Sequence, residues 1–212
     1  MRIERARSED REQFRRQSAA DFHDESGAKL TRINLHTGLA KQRAGNEGAI
    51  GPHLEQIELA QRELSAGIRD LIWSMDPGRD TLHDVLDRLA AFAASLFDRT
   101  STAFRIEGRT DAMREVKLDM EQRRAITLIL KEAMNNCAKY AEAAHCTLHV
   151  SHTDGSLSLT LKDDGKGFDT THAKPDSYGM RTMTERAASI GAEVMVESEL
   201  GEGTEVRLGV LI

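Results

Sequence analysis

The spacing of the hydrophobic residues changes near the middle of this chain. Up to about residue 75, apolar side chains recur every three or four positions, which is the period of a helix buried on one face. From about residue 80, several short segments alternate apolar and polar residues, which is the period of a half-buried β-strand. Between the two parts, Asp76-Pro77-Gly78 marks a boundary because proline and glycine end helices. We therefore expect one domain over residues 1–76 and another over residues 80–212.

The first part predicts an antiparallel helical hairpin. One helix is expected over residues 1–43, with a narrow apolar stripe that is polar in its middle, and a second from about Pro52 to Met75. Residues 44–52 contain three glycines and a proline, so a loop is expected there, with Pro52 in the first turn of the second helix. One hairpin cannot bury both stripes. Two hairpins in a homodimer are expected to form a four-helix bundle.

The second part predicts an α+β domain. Helices are predicted over residues 81–98 and 119–141, and strands over 102–107, 145–152, 156–163, 193–199 and 204–211. Helices and strands do not alternate strictly along the chain. The arrangement expected is therefore a mixed sheet with helices packed on one face.

Composition narrows the class of protein. The net charge of −6 argues against nucleic acid as a partner, since nucleic-acid binders are usually strongly basic on one face. Cys137 and Cys146 have no metal or disulfide spacing and are expected to be reduced thiols. No apolar run approaches the ~20 residues that span a membrane, and residues 1–20 are too charged for a signal peptide. We expect a cytoplasmic chain without direct membrane insertion, either free or part of an anchored protein.

The segment from Leu161 to Phe168 is a candidate for binding a purine. It leaves a predicted strand with Asp163 and continues through Gly165 and Gly167, which let a ligand approach the backbone. The Asp163 carboxylate can accept a hydrogen bond from the exocyclic amine of adenine, where guanine has a carbonyl. Taken alone, the same string is weak evidence and more often forms an ordinary Asp-Gly turn.

Polar residues on the predicted helix over 119–141 could hold a magnesium triphosphate. Glu132, Asn136 and Lys139 are spaced by four and three positions, which places them on one helix face. Mg²⁺ prefers hard oxygen ligands, and lysine neutralises phosphate charge. The alternative is a solvated polar face with no ligand.

Two further segments follow in the chain. Ser177 to Arg181, which includes Gly179 and Met180, opens a helix that is expected to run to about Ile190, and free amides there can bind phosphate oxygens. Gly201 to Thr204, which includes Gly203, lies between the last two predicted strands and on its own indicates only a hairpin turn.

In this order, the four segments resemble the N, G1, G2 and G3 boxes of the GHKL ATPase superfamily, as found in sensor histidine kinases. The resemblance covers residues 130–212 and extends back to about Asp80. It implies a Bergerat-type α/β sandwich that binds ATP and Mg²⁺ under a lid between about Asp169 and Ser177. By this resemblance Asn136 would bind Mg²⁺, Asp163 the adenine, and Gly165, Gly167 and Gly179 the nucleotide walls; Lys139, Met180, Gly203 and Thr204 complete the expected nucleotide site. Tyr140 stands where relatives often carry histidine.

His23 is the candidate phosphoacceptor. Its neighbour Phe22 lies on the apolar stripe, so His23 points about 100° away toward the flank of the bundle, with Asp24 directly after it. The string AADFHDESGAKLTRI resembles the phosphoacceptor motif of the histidine kinases that include nitrate and membrane-fluidity sensors. This implies that His23 takes the γ-phosphoryl group of ATP and that Asp24 assists. The other seven histidines are expected to serve packing or the surface: His36, His53, His83, His145, His149, His152 and His172.

Three residues depart from the pattern of this subfamily. Ser18 and Ser26 replace apolar residues on the stripe, which should loosen the bundle near His23. Ala28 stands where many relatives carry a glutamine that positions water to dephosphorylate the partner. A phosphatase activity by that route is therefore in question.

The sequence favours an ATP-dependent histidine autokinase that passes the phosphoryl group from His23 to an aspartate on a separate response-regulator receiver domain. Under this hypothesis Glu132 is a catalytic residue, which either orients the acceptor or polarises a metal-bound water. Two alternatives are a GHKL ATPase that is not a kinase and a scaffold that holds nucleotide without transfer.

Overall fold

The computed structural model describes residues 29–40, 42, 47–76, 78–98, 100–153, 155–169 and 178–212. The chain divides into two compact units, Met1–Asp76 and Pro77–Ile212. Among the described helices, none combines the length and the hydropathy that a membrane crossing requires.

In the first unit, helix α1 covers residues 29–40 and helix α2 runs over Glu47–Ser74. Arg32 of α1 is ion-paired with Glu63 of α2, and His36 meets His53. Since residue numbers rise along α1 as they fall along α2, the two helices are antiparallel, as predicted. Of the helix predicted over residues 1–43, the part before residue 29 lies outside the described residues.

The predicted loop over residues 44–52 is wrong at its C-terminal end, because α2 already begins at Glu47 and contains Pro52. Proline fixes φ at a helical value, and in this second turn it removes only the hydrogen bond to the carbonyl of Gly48. The free energy lost with one hydrogen bond near a helix end is smaller than the free energy gained when the amphipathic helix is extended.

The second unit is built on a five-stranded mixed sheet of strand order β1-β2-β3-β5-β4. The strands are β1 Ala103–Glu107, β2 His145–Thr153, β3 Ser156–Asp163, β4 Glu193–Glu199 and β5 Gly203–Leu211. Only β1 and β2 pair in parallel; the other neighbours are antiparallel. Each strand lies within about one residue of its predicted position.

Three helices cover one face of this sheet: α3 Leu82–Phe97, α4 Met120–Asn136 and α5 Tyr178–Ser189. Helix α4 lies in the middle and packs against both α3 and α5. Leu157, Leu159 and Leu161 of β3 are buried, whereas Ser158 and Lys162, at alternate positions, are exposed. The sheet is therefore apolar toward the helices and polar on the other face, which confirms the predicted α+β arrangement in two layers.

The ends of α4 determine where its polar residues lie. At its start, Asp119 and Gln122 form a capping box in which each side chain accepts from the other's backbone N–H. At its end, α4 passes into a π-helical turn over Cys137–Ala141 and leaves it at Glu142, which has a left-handed φ of 56°. A π-helical turn is wider than an α-helical one, so residues after Asn136 leave the face that a continuous α-helix would give them.

Candidate nucleotide-binding site

A cavity of about 830 Å³ opens in the second unit, between α4, the end of β3, α5 and the β4–β5 pair. It is lined by Glu132, Ala133, Asn136, Cys137, Tyr140, Ala141, Leu161, Asp163, Lys166, Gly167, Phe168, Asp169, Gly179, Met180, Met183, Val196, Thr204 and Val206. Seven of the predicted site residues line it: Glu132, Asn136, Asp163, Gly167, Gly179, Met180 and Thr204. The four segments therefore meet around one cavity, although they are far apart in the sequence.

Asp163 supplies the buried carboxylate of this cavity. Only 7% of the residue is exposed. Its Oδ1 accepts hydrogen bonds from the backbone N–H of Gly165 at 3.0 Å and of Thr204 at 3.3 Å. Burial raises the pKa of this carboxyl above its usual value, although these two N–H groups act in the opposite direction. Within the described part of the chain, no donor bonds Oδ2, which leaves this oxygen for a ligand.

The loop after β3 packs tightly against the π-helical turn. The Lys166 N–H donates to the carbonyl of Ala141 at 2.8 Å, and the Lys166 ammonium bonds Glu142 at 2.6 Å. A Cβ on Gly165 would stand 2.3 Å from the Ala141 carbonyl oxygen, a distance that no side chain tolerates. The glycine therefore allows the loop to reach the turn that carries the end of α4.

The turn between β4 and β5 closes the other side of the same loop. Gly203 has a φ of +84°, and a Cβ there would stand 2.1 Å from the carbonyl oxygen of Asp163. The Ser198 hydroxyl donates to the Gly203 carbonyl at 2.8 Å and accepts from the Phe168 N–H at 2.9 Å. Gly165 and Gly203 therefore do not line the cavity themselves. They allow the close backbone contacts that position Asp163.

Polar side chains of α4 form the opposite wall. Glu132 and Asn136 are one helical turn apart and both line the cavity. The start of α5 comes close to them, since a Cβ on Gly179 would stand 2.5 Å from Glu132 Oε1. A carboxylate and an amide oxygen on one wall are ligands that fit Mg²⁺. The described residues contain no group of three or more His, Cys, Asp or Glu placed to hold a metal, so nucleotide oxygens and water would have to complete the coordination.

Lys139 is exposed and does not line the cavity, contrary to the placement that its helical spacing suggested. The spacing argument assumed an α-helix through residue 141, whereas the π-helical turn begins at Cys137. Tyr140 and Lys166 line the cavity from this side instead. Lys166 is the residue that sequence reasoning missed, although it stands inside the glycine segment that was singled out.

Apolar side chains complete the cavity and suit the faces of a flat ring. Leu161, Met183, Val196 and Val206 lie on inward positions of β3, α5, β4 and β5. Their alternation predicts burial but not a ligand wall. Their place in the cavity wall could have been predicted from their closeness to the polar motifs, which lie at the same end of the sheet.

The two cysteines of this unit are buried and reduced, as expected. A hydrogen bond with Cys137, together with burial, raises the pKa of the Cys146 thiol. The Cys146 thiol therefore stays protonated at neutral pH, and both buried side chains are part of the core.

The acceptor motif and the lid are not placed by the structure. His23 and Asp24 lie outside the described residues, and of the expected lid only Asp169 is described.

The two-layer sandwich and its cavity, with one buried acid and an acid–amide pair opposite, define a nucleotide-binding domain. Residues 97–209 match the histidine kinase-like ATPase domain family. This match spans more than half of the chain, and the chain belongs to that family.

Curated relatives align with almost the whole chain. It is 26% identical over 215 residues to an uncharacterized sensor-like histidine kinase of Chloroflexus aurantiacus, covering 95% of this chain and 35% of the relative. It is 26% identical to the signal transduction histidine-protein kinase/phosphatase UhpB of Salmonella typhimurium, covering 94% of this chain and 39% of that protein. The chain thus spans little more than a third of the length of these relatives.

Solved structures share the fold. The histidine kinase domain of the Erythrobacter litoralis EL346 blue-light activated histidine kinase superposes with a TM-score of 0.58 at 19% identity, covering 91% of this chain and 93% of that one. The Acinetobacter baumannii histidine kinase AdeS gives a TM-score of 0.60 at 14% identity, covering 86% and 95%. At these identities the likeness concerns the fold alone.

Proposed function

We propose that this chain is an ATP-dependent protein histidine kinase that phosphorylates its own His23. The observation that carries the proposal is the buried Asp163 carboxylate, which faces Glu132 and Asn136 across one cavity in a chain whose sequence also contains the candidate acceptor His23. The curated relatives support the proposal, since UhpB is named a histidine-protein kinase/phosphatase.

ATP binds with its adenine against Asp163 in this proposal. Oδ1 is occupied by two backbone N–H groups, so Oδ2 accepts the hydrogen bond from the exocyclic amine. Guanine would place a carbonyl against this acceptor and leave a buried carboxylate oxygen without a donor, which disfavours GTP. The apolar walls around Leu161 and Met183 cover the ring faces.

Asn136 and Glu132 face the phosphate end and would hold Mg²⁺. When bound, this ion neutralises charge on the phosphate oxygens. Lys166 also lines the cavity, with its ammonium ion-paired to Glu142. Gly165, Gly167, Gly179, Met180, Gly203 and Thr204 shape the nucleotide walls, and Glu132 acts either on the acceptor or on a metal-bound water.

The phosphoryl transfer is an in-line displacement. A ring nitrogen of neutral His23 attacks the γ-phosphorus while the bond from that phosphorus to the β–γ bridging oxygen breaks, and ADP leaves. Asp24 accepts a hydrogen bond from the other ring nitrogen and fixes the tautomer. The phosphoryl group then passes to an aspartate carboxylate of a response-regulator receiver domain.

The proposed setting is a cytoplasmic homodimer in which two hairpins form a four-helix bundle. Support comes from the apolar residues that one hairpin leaves exposed, among them Leu54, Ile68 and Ile72 of α2.

Incubation of the chain with γ-labelled ATP and Mg²⁺ tests the proposal. We expect one acid-labile, alkali-stable phosphoryl group per acceptor site, lost in His23→Gln while nucleotide binding persists. His149→Gln is the matched control, since it removes an exposed histidine of β2. Label that persists in His23→Gln would contradict the proposal. Release of phosphate without labelled protein would indicate an ATPase, and nucleotide binding with neither product a scaffold.

A further inference from the structure

Two histidines face each other across the hairpin of the first unit. His36 lies on α1 and His53 lies near the start of α2, and their Nδ1 atoms are 3.1 Å apart. The ring centroids are 5.4 Å apart, and the ring planes are inclined by 39°. Both residues are half-buried. Because the two rings come from different helices, any ligand that binds both of them ties α1 to α2.

The separation of the two nitrogens suits a shared metal ion. Zinc binds histidine nitrogen at ~2.0–2.1 Å, so two nitrogens at the observed separation would subtend about 100° at the ion, between a right angle and the tetrahedral angle. Without metal, one ring has to donate its N–H to the other. Small rotations of the two rings turn both lone pairs from the line joining the nitrogens toward a common ion.

The nearby charges do not oppose a cation at this place. Arg32, one turn before His36, is ion-paired with Glu63, so its positive charge is compensated. The described residues offer no third His, Cys, Asp or Glu at this place, so water would fill the remaining positions. Imidazole nitrogen suits zinc, copper and nickel, whereas Mg²⁺ and Ca²⁺ prefer oxygen ligands.

We propose that His36 and His53 form a two-ligand binding site for a divalent transition-metal ion of the zinc class, which clips α1 to α2. The site is separate from the nucleotide cavity and does not depend on the proposed kinase activity. An ion that binds only the folded hairpin also raises its resistance to unfolding.

The test is Zn²⁺ binding to the full chain, measured by competition with a chromogenic chelator. We expect the number of bound ions to fall by one per chain, or the affinity to fall about tenfold or more, in both His36→Gln and His53→Gln. Glutamine keeps the helix propensity, and the circular dichroism at 222 nm verifies that the hairpin remains folded. His149→Gln, on β2 of the second unit, is the matched control and should bind like the parent.

A second readout separates this site from zinc bound elsewhere. Zn²⁺ should raise the melting temperature of the helical signal in the parent and in His149→Gln, and the rise should be absent in the two hairpin variants. Equal zinc binding in all four proteins would overturn the proposal. So would a loss in only one of the two hairpin variants, because a shared ion needs both rings.

Discussion

At the scale of single residues, Asp163 combines its proposed role in nucleotide binding with an energetic cost. Its carboxyl is buried, and burial raises its pKa because the ionised form is poorly solvated there. Two backbone N–H groups compensate part of that cost through Oδ1. A residue that binds a ligand while its charge destabilises the free protein is typical of sites where function and stability are opposed.

The first prediction is that Asp163→Asn loses ATP binding without losing stability. The amide keeps an oxygen that can accept from Gly165 and Thr204, but it presents N–H donors to the amine of adenine. We expect the dissociation constant to rise by about 100-fold or more. Isothermal titration calorimetry measures the affinity for ATP, and thermal unfolding measures the stability. The control is Asp164→Asn, which changes an exposed neighbour in the same way. An affinity within a fewfold of the parent would contradict the proposed adenine contact.

The second prediction concerns the pH dependence of stability. From the usual Asp value of 3.8 up to the raised pKa of Asp163, the folded chain keeps a proton that the unfolded chain has released. Fewer protons on the unfolded chain mean that the free energy of unfolding falls as pH rises through that window. Asp163→Asn lacks this contribution, so its stability relative to the parent should increase across the window and then stay constant.

Urea denaturation of both proteins at a series of pH values gives this difference directly. A difference that is flat with pH, or that decreases as pH rises, would mean that burial does not raise the pKa of Asp163. Asp164→Asn serves again as control and should behave oppositely, because hydrogen bonds from His145 lower the pKa of Asp164. Its effect should be small since the pair is exposed.

At the scale of elements, the site depends on how closely three connections approach one another. The loop after β3 contacts the π-helical turn through Gly165 and Lys166 and the β4–β5 turn through Asp163 and Phe168. Most of these contacts bring backbone atoms close together, so they leave little room for larger side chains. The geometry of Asp163 therefore follows from the packing of loops and not from its strand alone.

The third prediction is that Gly165→Ala destabilises the second unit and weakens nucleotide binding. The new Cβ would meet the Ala141 carbonyl oxygen at 2.3 Å, so the loop or the turn must move. Overpacking of this kind costs ~1–3 kcal/mol, which corresponds to a fall in melting temperature of at least about 3 °C. Differential scanning calorimetry measures the melting temperature of the parent and of the variant.

Gly209→Ala is the matched control for this change. Gly209 lies in β5, its added Cβ would have no neighbour within 4 Å, and alanine in a strand loses less chain entropy than glycine. The control should therefore be neutral or slightly stabilising. Equal effects of the two substitutions would show that the approach to Ala141 is not what requires glycine.

The elements of the second unit could be predicted because their patterns are local. Alternating residues such as Leu157, Leu159 and Leu161 determine which face of β3 is buried, whatever its neighbours. The departure of Lys139 from the α4 face could not be predicted, since a π-helical turn depends on how Ala141 packs on the glycine loop. Likewise Pro52 indicated a helix start, while the helix continues one turn further toward its N-terminus.

At the scale of the whole molecule, the described helices of the first unit leave several large apolar side chains exposed. Leu54 is 50% exposed and Ile72 is 64% exposed, and Leu30 and Leu35 of α1 are also exposed. Several exposed apolar residues on one helix pair indicate an association surface. The sequence predicted this situation, because two stripes on one hairpin cannot bury each other.

The fourth prediction is that the double variant Leu54→Glu/Ile72→Glu is a monomer at concentrations where the parent is a dimer. Two glutamates on the proposed bundle face would be desolvated on association, so the bundle should dissociate. Size-exclusion chromatography with light scattering gives the mass. Leu200→Glu/Leu211→Glu is the matched control, because it adds the same charge at two exposed leucines of the second unit.

A monomeric parent would contradict the four-helix bundle, and a dimeric double variant would place its interface on another surface. ATP binding should survive in both variants, since the cavity is formed within the second unit.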